Sequence, residues 1–78
     1  MQNKLNTLIT ILTQKKKVKF YLYNVTYIIY IRDDKFIIRQ LNSNLECVYD
    51  DLKILFESYR IYGESLAECF DNVYVIND

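Results

Sequence analysis

The stretch VTYIIYIRDDKFIIRQ, residues 25–40, decides the fold. Two runs rich in β-branched and aromatic residues flank Asp33-Asp34, and such runs suit a pleated, half-buried strand. Asp33-Asp34 reads as the turn between them. As a two-residue hairpin loop it sets Ile31 opposite Phe36 and Ile29 opposite Ile38. Side chains alternate along a strand, so these four share a face with Val25 and Tyr27 and belong to the core. The strands are predicted over 25–32 and 35–41.

Upstream, KKKVKFYLY at residues 15–23 adds another strand from Val18. Val18, Phe20 and Leu22 point one way, and Lys19, Tyr21 and Tyr23 the other. Before it, Leu5, Leu8, Ile9 and Leu12 recur at i, i+3, i+4 and i+7, the apolar stripe of a helix. Asn3 is placed to cap that helix, and Lys15, Lys16 and Lys17 complement the negative end of its dipole.

Downstream, Asn42-Ser43-Asn44 breaks the alternation. Ser43-x-x-Glu46 has the form of a capping box, and Leu45, Val48, Tyr49, Leu52, Leu55, Phe56 and Tyr59 keep helical spacing. The alternative is a short fourth strand over 45–49 with the helix starting near Asp50. Either way a helix is predicted over 50–62, with Gly63 as its C-terminal cap. Ser65-x-x-Glu68 opens a short helix through about Phe70, and VYVI at 73–76 makes a short last strand. The expected architecture is α+β: an N-terminal helix, a three-stranded antiparallel sheet, two C-terminal helices and that strand, with the helices on one face of the sheet.

Seventy-eight residues make one small globular domain, residues 1–78, and a chain this short buries only about 60% of its unfolded surface. The content is 51% hydrophobic and 26% charged, which excludes disorder as the default state. No apolar run approaches the roughly 18 residues of a membrane span, so a soluble, cytoplasmic protein with no membrane partner is expected. Two cysteines, Cys47 and Cys69 with 21 residues between them, do not make the framework of a secreted mini-protein, and reduced, largely buried thiols are expected. Asn, Lys, Ile and Tyr supply 7, 7, 10 and 8 residues, whereas Gly and Ala supply one each and Pro none. That bias follows AT-rich codons and points to a low-GC bacterium or its phage. Net charge is zero but divided: residues 1–42 carry eight Lys or Arg against Asp33 and Asp34, a balance of +6, and residues 43–78 carry −6.

The absences argue against an enzyme. Without histidine there is no imidazole base and no Ser-His or Cys-His nucleophile. One glycine cannot make a phosphate-binding loop, and two distant cysteines without histidine argue against a structural zinc site. Asp33-Asp34 and Asp50-Asp51 diverge as neighbours in a turn or at a helix start, where aspartate is favoured anyway. No catalytic residue, metal site or cofactor is therefore assigned.

Binding surfaces remain. The sheet face away from the core carries Lys19, Tyr21, Tyr23, Tyr30, Arg32, Lys35 and Arg39 around Thr26, Ile28 and Ile37. Such a face can stack nucleic-acid bases, dock a protein or a second copy of the chain, or be covered by ordinary packing. The C-terminal half offers an acidic surface of Asp50, Asp51, Glu57, Glu64, Glu68 and Asp71 on or near two helices. Carboxylates so arranged can occupy a groove built for a phosphate backbone.

In order of elements, NKLNTLITIL, then KFYLY to KFIIRQ, then DDLKILFESYRIYGESLAECFD, the chain resembles small phage-encoded anti-CRISPR proteins of type II-A. The likeness lies in that order and in the acidic C-terminal half; no motif is shared. It implies an inhibitor that blocks a nuclease by occupying its DNA-binding groove. This chain is neutral overall where such DNA mimics are strongly acidic, which favours inhibition by protein–protein contact. The leading expectation is thus a non-enzymatic inhibitor of a host protein such as a CRISPR effector, acting through the acidic helices. A nucleic-acid-binding module using the Tyr/Lys/Arg sheet face, and a structural homodimer, are the alternatives.

Overall fold

In the computed structural model, which describes residues 4–76, the period-two segments become three antiparallel strands. These are β1 (Lys17–Leu22), β2 (Val25–Arg32) and β3 (Lys35–Gln40). Ile29 pairs with Ile38 and Ile31 with Phe36, the register read from the Asp33-Asp34 turn. Both connecting loops have two residues in the left-handed region: φ is 51° and 64° at Tyr23-Asn24 and 53° and 62° at Asp33-Asp34. Positive φ at both positions marks the type I′ hairpin turn, whose twist matches that of the strands it joins.

The sheet has five strands, not three. β4 (Cys47–Tyr49) pairs with β3, and the last strand, β7 (Tyr74–Ile76), pairs with β1, giving the order β4-β3-β2-β1-β7. Ser43-x-x-Glu46 does not open a helix. The Ser43 hydroxyl accepts from the Leu45 N–H at 3.1 Å, and Glu46 is drawn to Arg32 and Tyr30, so Cys47–Tyr49 is left to satisfy the open edge of β3. Helix α2 (Leu52–Ser58) starts from Asp51, whose carboxylate accepts from the Ile54 N–H at 2.8 Å.

Helix α2 also stops short of its predicted end. Arg60–Ile61 (β5) folds back on Glu64–Ser65 (β6) around Tyr62-Gly63, a third left-handed pair with φ of 51° and 83°. Gly63 therefore serves a hairpin turn and not a helix cap. The Ser65 box does form. The Ser65 hydroxyl accepts from the Glu68 N–H at 3.2 Å, and the Glu68 carboxylate accepts from the Ser65 N–H at 2.8 Å. This opens α3 (Leu66–Cys69), which runs into a 3₁₀ turn at Phe70–Asn72.

Helix α1 (Lys4–Lys15) buries Leu8, Ile11 and Leu12, whereas Leu5 and Ile9 remain 37% and 39% exposed. Its apolar arc is wider than the sheet can cover. The remainder faces α2, where Leu5, Ile9, Leu52 and Phe56 wall a groove of about 410 Å³. Residues of all three helices share one cluster with Val18, Phe20, Leu22, Tyr27, Ile29 and Ile38, so the helices lie on that single face of the sheet. Phe20 and Tyr27, opposite in register, stack at 5.1 Å. Lys16 (φ 64°) ends α1, and its carbonyl accepts from the Ile31 N–H at 3.0 Å, so the helix passes directly into the β ladder. The Lys4 ammonium donates to the carbonyls of Phe70, Asp71 and Val73, tying the start of α1 to the approach to β7. The capping role expected of Asn3 lies outside the described residues. Among the described residues no helix is long and apolar enough to cross a membrane.

Candidate binding face

The face opposite the helices has no second layer over it among the described residues. Strand register arranges its side chains in rows. Nearest the Tyr23-Asn24 turn runs Tyr74–Tyr21–Thr26; next come Ile76–Lys19–Ile28–Arg39, then Lys17–Tyr30–Ile37–Val48, and last Arg32–Lys35. The five strands contain Lys17, Lys19, Arg32, Lys35 and Arg39 and no carboxylate, and alternation puts all five cations on this face. Ile28 and Ile37 are buried here, at 8% and 1% exposure, although they lie outside the main core cluster. Their register neighbours are Lys19, Arg39, Tyr30 and Val48, and the aliphatic and aromatic stems of such side chains cover apolar ground while their polar tips stay in water. Tyr74 is 71% exposed and Tyr21 41%.

Charge on one side of the face is offset from outside the strands. Glu46, just before β4, accepts from Arg32 at 2.9 and 3.3 Å and from the Tyr30 hydroxyl. The hydrogen bonds from Arg32 and Tyr30 hold the Glu46 carboxyl below its ordinary value, and the same carboxylate raises the Tyr30 phenol and the Arg32 guanidinium. Asp50 pairs with Lys35 in the same way, which lowers the Asp50 carboxyl and raises the Lys35 ammonium. Arg39 instead donates to the carbonyls of Gln40, Leu41 and Ser43 at 3.2, 2.9 and 3.1 Å, which fixes its guanidinium at the rim.

Two hollows flank the face. One, of about 170 Å³, gathers Lys15, Lys17 and Lys19 around Ile11, Val18 and Ile76. The other, of about 340 Å³, lies beyond Thr26 at the end of the first row and is lined by Asn24, Gln40 and Asn42 with Val25 and Leu41.

Lys19, Tyr21, Tyr30, Arg32, Lys35 and Arg39 therefore lie together on one face, as read from the sequence. Tyr23 does not. It sits in the turn, where its hydroxyl accepts from the Asn72 side chain at 3.1 Å and its ring lies 5.7 Å from that of Tyr62. The acidic residues are less unified. Asp50 is paired with Lys35, Asp51 caps α2, and Glu68 completes the capping box and meets Arg60 at 3.3 Å. The backbone hydrogen bond from Ser65 holds the Glu68 carboxyl low. Glu57 borders the groove between α1 and α2, Glu64 is exposed in β6, and Asp71 is exposed in the 3₁₀ turn. Sequence reading missed Tyr74, Ile76, Val48 and the amide-lined hollow. The alternation in VYVI carried part of the signal, but its neighbour in the sheet did not.

No protein-family model, curated protein or solved structure matches this chain. Chemically, the face offers cationic donors, exposed phenol rings and side-chain amides.

Proposed function

We propose that this chain is a non-enzymatic binding protein whose working surface is the bare sheet face, and that its partner is anionic. The observation that carries this reading is the segregation of charge: the five-stranded sheet holds five cations and no carboxylate, all on the side away from the helices, and of these Arg32 and Lys35 are paired to Glu46 and Asp50 from outside its strands. A chain of zero net charge arranged this way still presents a local positive field that draws anions to one side. The inhibitor expected to act through acidic helices has less geometry behind it, because Asp50, Asp51 and Glu68 are already engaged within the chain.

Heparin chromatography above the isoelectric point of about 6.2 tests the reading. The wild-type chain should be retained despite its net negative charge, and the double charge reversal Lys17→Glu/Lys19→Glu should pass through. The control Glu57→Gln/Glu64→Gln should be retained at least as well as wild type. Flow-through of the wild type, or retention indifferent to the double reversal, would remove the sheet face from consideration.

A further inference from the structure

Resting on that reading, we infer that the anionic partner is a single-stranded nucleic acid laid across the strands along the Tyr74–Tyr21–Thr26 row. Three kinds of group that such a ligand requires meet here. Lys19 and Arg39 stand in the next row along the strands and Lys17 in the row beyond it, where phosphates would pass. Tyr74 and Tyr21 stand directly opposite each other on β7 and β1, both exposed, on a surface that no second layer covers among the described residues. Exposed rings of this kind are what bases stack on, and stacking tolerates any base because every base has a π-face. The row ends beside the hollow bordered by Asn24, Gln40 and Asn42; side-chain amides such as those of Asn24 and Asn42 both donate and accept, as base edges do, while alternation turns Gln40 towards the helix side. The Tyr21 hydroxyl donates to the Asn24 side chain at 3.0 Å, so ring and hollow are positioned together.

Size agrees with chemistry. From β7 to β3 is three strand spacings, about 14 Å. That accommodates the two or three bases that sheet-based RNA-binding modules stack. A duplex would present phosphates and hide its base faces, leaving Tyr74, Tyr21 and the amide hollow without partners. An acidic protein would satisfy the lysines but has no use for donors and acceptors mixed in one hollow.

The test is fluorescence anisotropy at low salt with short labelled oligothymidylate and oligouridylate, a mixed-sequence duplex of equal length, and polyglutamate and heparin as competitors. Expected are binding of a single strand in preference to the duplex, with the DNA and RNA arms reporting which sugar is favoured. Tyr74→Ala and Tyr21→Ala should each weaken binding roughly 5- to 100-fold, the range of one lost base stack. Tyr74→Phe and Tyr21→Phe keep the ring and should stay near wild type. Contacts from Lys17, Lys19 and Arg39 would give a slope of log affinity on log salt of about −2, less steep by about 0.7 in Lys17→Gln. Circular dichroism of each variant separates lost binding from lost folding, and Tyr74, on an edge strand and mostly exposed, is the variant least able to unfold the chain.

Retention on heparin with no affinity for either single strand would overturn the inference while leaving the anionic face in place. Equal binding of single strand, duplex and polyglutamate, unmoved by both alanine variants, would do the same. Tightest binding to polyglutamate would assign the face to an acidic protein. No affinity for any polyanion would overturn inference and reading together.

Discussion

Ile37 and Ile38 are neighbours in β3, exposed by 1% and 0%, and burial alone does not tell them apart. Ile38 lies under the helices, in one cluster with Leu55, Leu66 and Phe20. Ile37 is on the opposite face, where its neighbours among the described residues are Tyr30 and Val48 in its own row and the long side chains beside it. One face is sealed by a layer of secondary structure and the other by its own stems. A layer resists rearrangement because its backbone is fixed, whereas stems can shift to admit or replace a ligand. That difference makes the second face the candidate for function.

The sharpest way to break this contrast is a pair of truncations followed by chemical unfolding. Ile38→Ala should cost about 2–5 kcal/mol, the range for a core isoleucine whose cavity cannot collapse. Ile37→Ala should cost less, below about 2 kcal/mol, because mobile neighbours can fill the gap. Equal losses would mean the outer face is as firmly packed as the inner. Next in size is Ser65→Ala, which removes the cap of α3 and should cost about 0.5–2 kcal/mol while leaving affinity at the outer face unchanged. If binding falls as well, the two faces are coupled and the separation drawn above is too clean.

The smallest effect at neutral pH, and the most diagnostic at high pH, concerns Tyr59. Burial pushes its phenol from 10.0 up to about 12. A group whose folded value is raised contributes stability that is fully present below pH 10.0 and is lost as pH rises towards about 12. Tyr59→Phe should therefore leave neutral stability nearly unchanged and move alkaline unfolding, followed by tyrosinate absorbance and circular dichroism, to higher pH. An unmoved alkaline transition would mean Tyr59 is not held in the layered interior.

Local signals carried the centre of the sheet. The Asp33-Asp34 turn and the alternation on either side suffice to place Ile29 against Ile38, because a two-residue loop leaves no freedom of register. They also gave six of the seven residues expected on the outer face. What failed depended on distant partners. Glu46 belongs to a capping pattern by spacing, yet Arg32 and Tyr30 from β2 claim its carboxylate. Glycine after an apolar helix pattern fits a cap and a hairpin turn equally, and only the pairing of Arg60 with Ser65 decides for the turn. Ile9 and Ile11 both fit a stripe on α1, and the sheet's position selects Ile11. The face became recognisable as a site only when β7 brought Tyr74 beside Tyr21.

That last pairing also orders events during synthesis. β1 leaves the ribosome ahead of every other strand, yet its outer neighbour β7 follows all of them. The two inner hairpins close over two-residue loops and form early, while joining β7 to β1 means closing a loop through the rest of the sheet and α2 and α3. Until then β1 is an open edge bearing Phe20 and Leu22, available to any other strand nearby. Lys4, gripping the carbonyls just before β7, ties the approach to that late strand to the start of α1 once the sheet is complete.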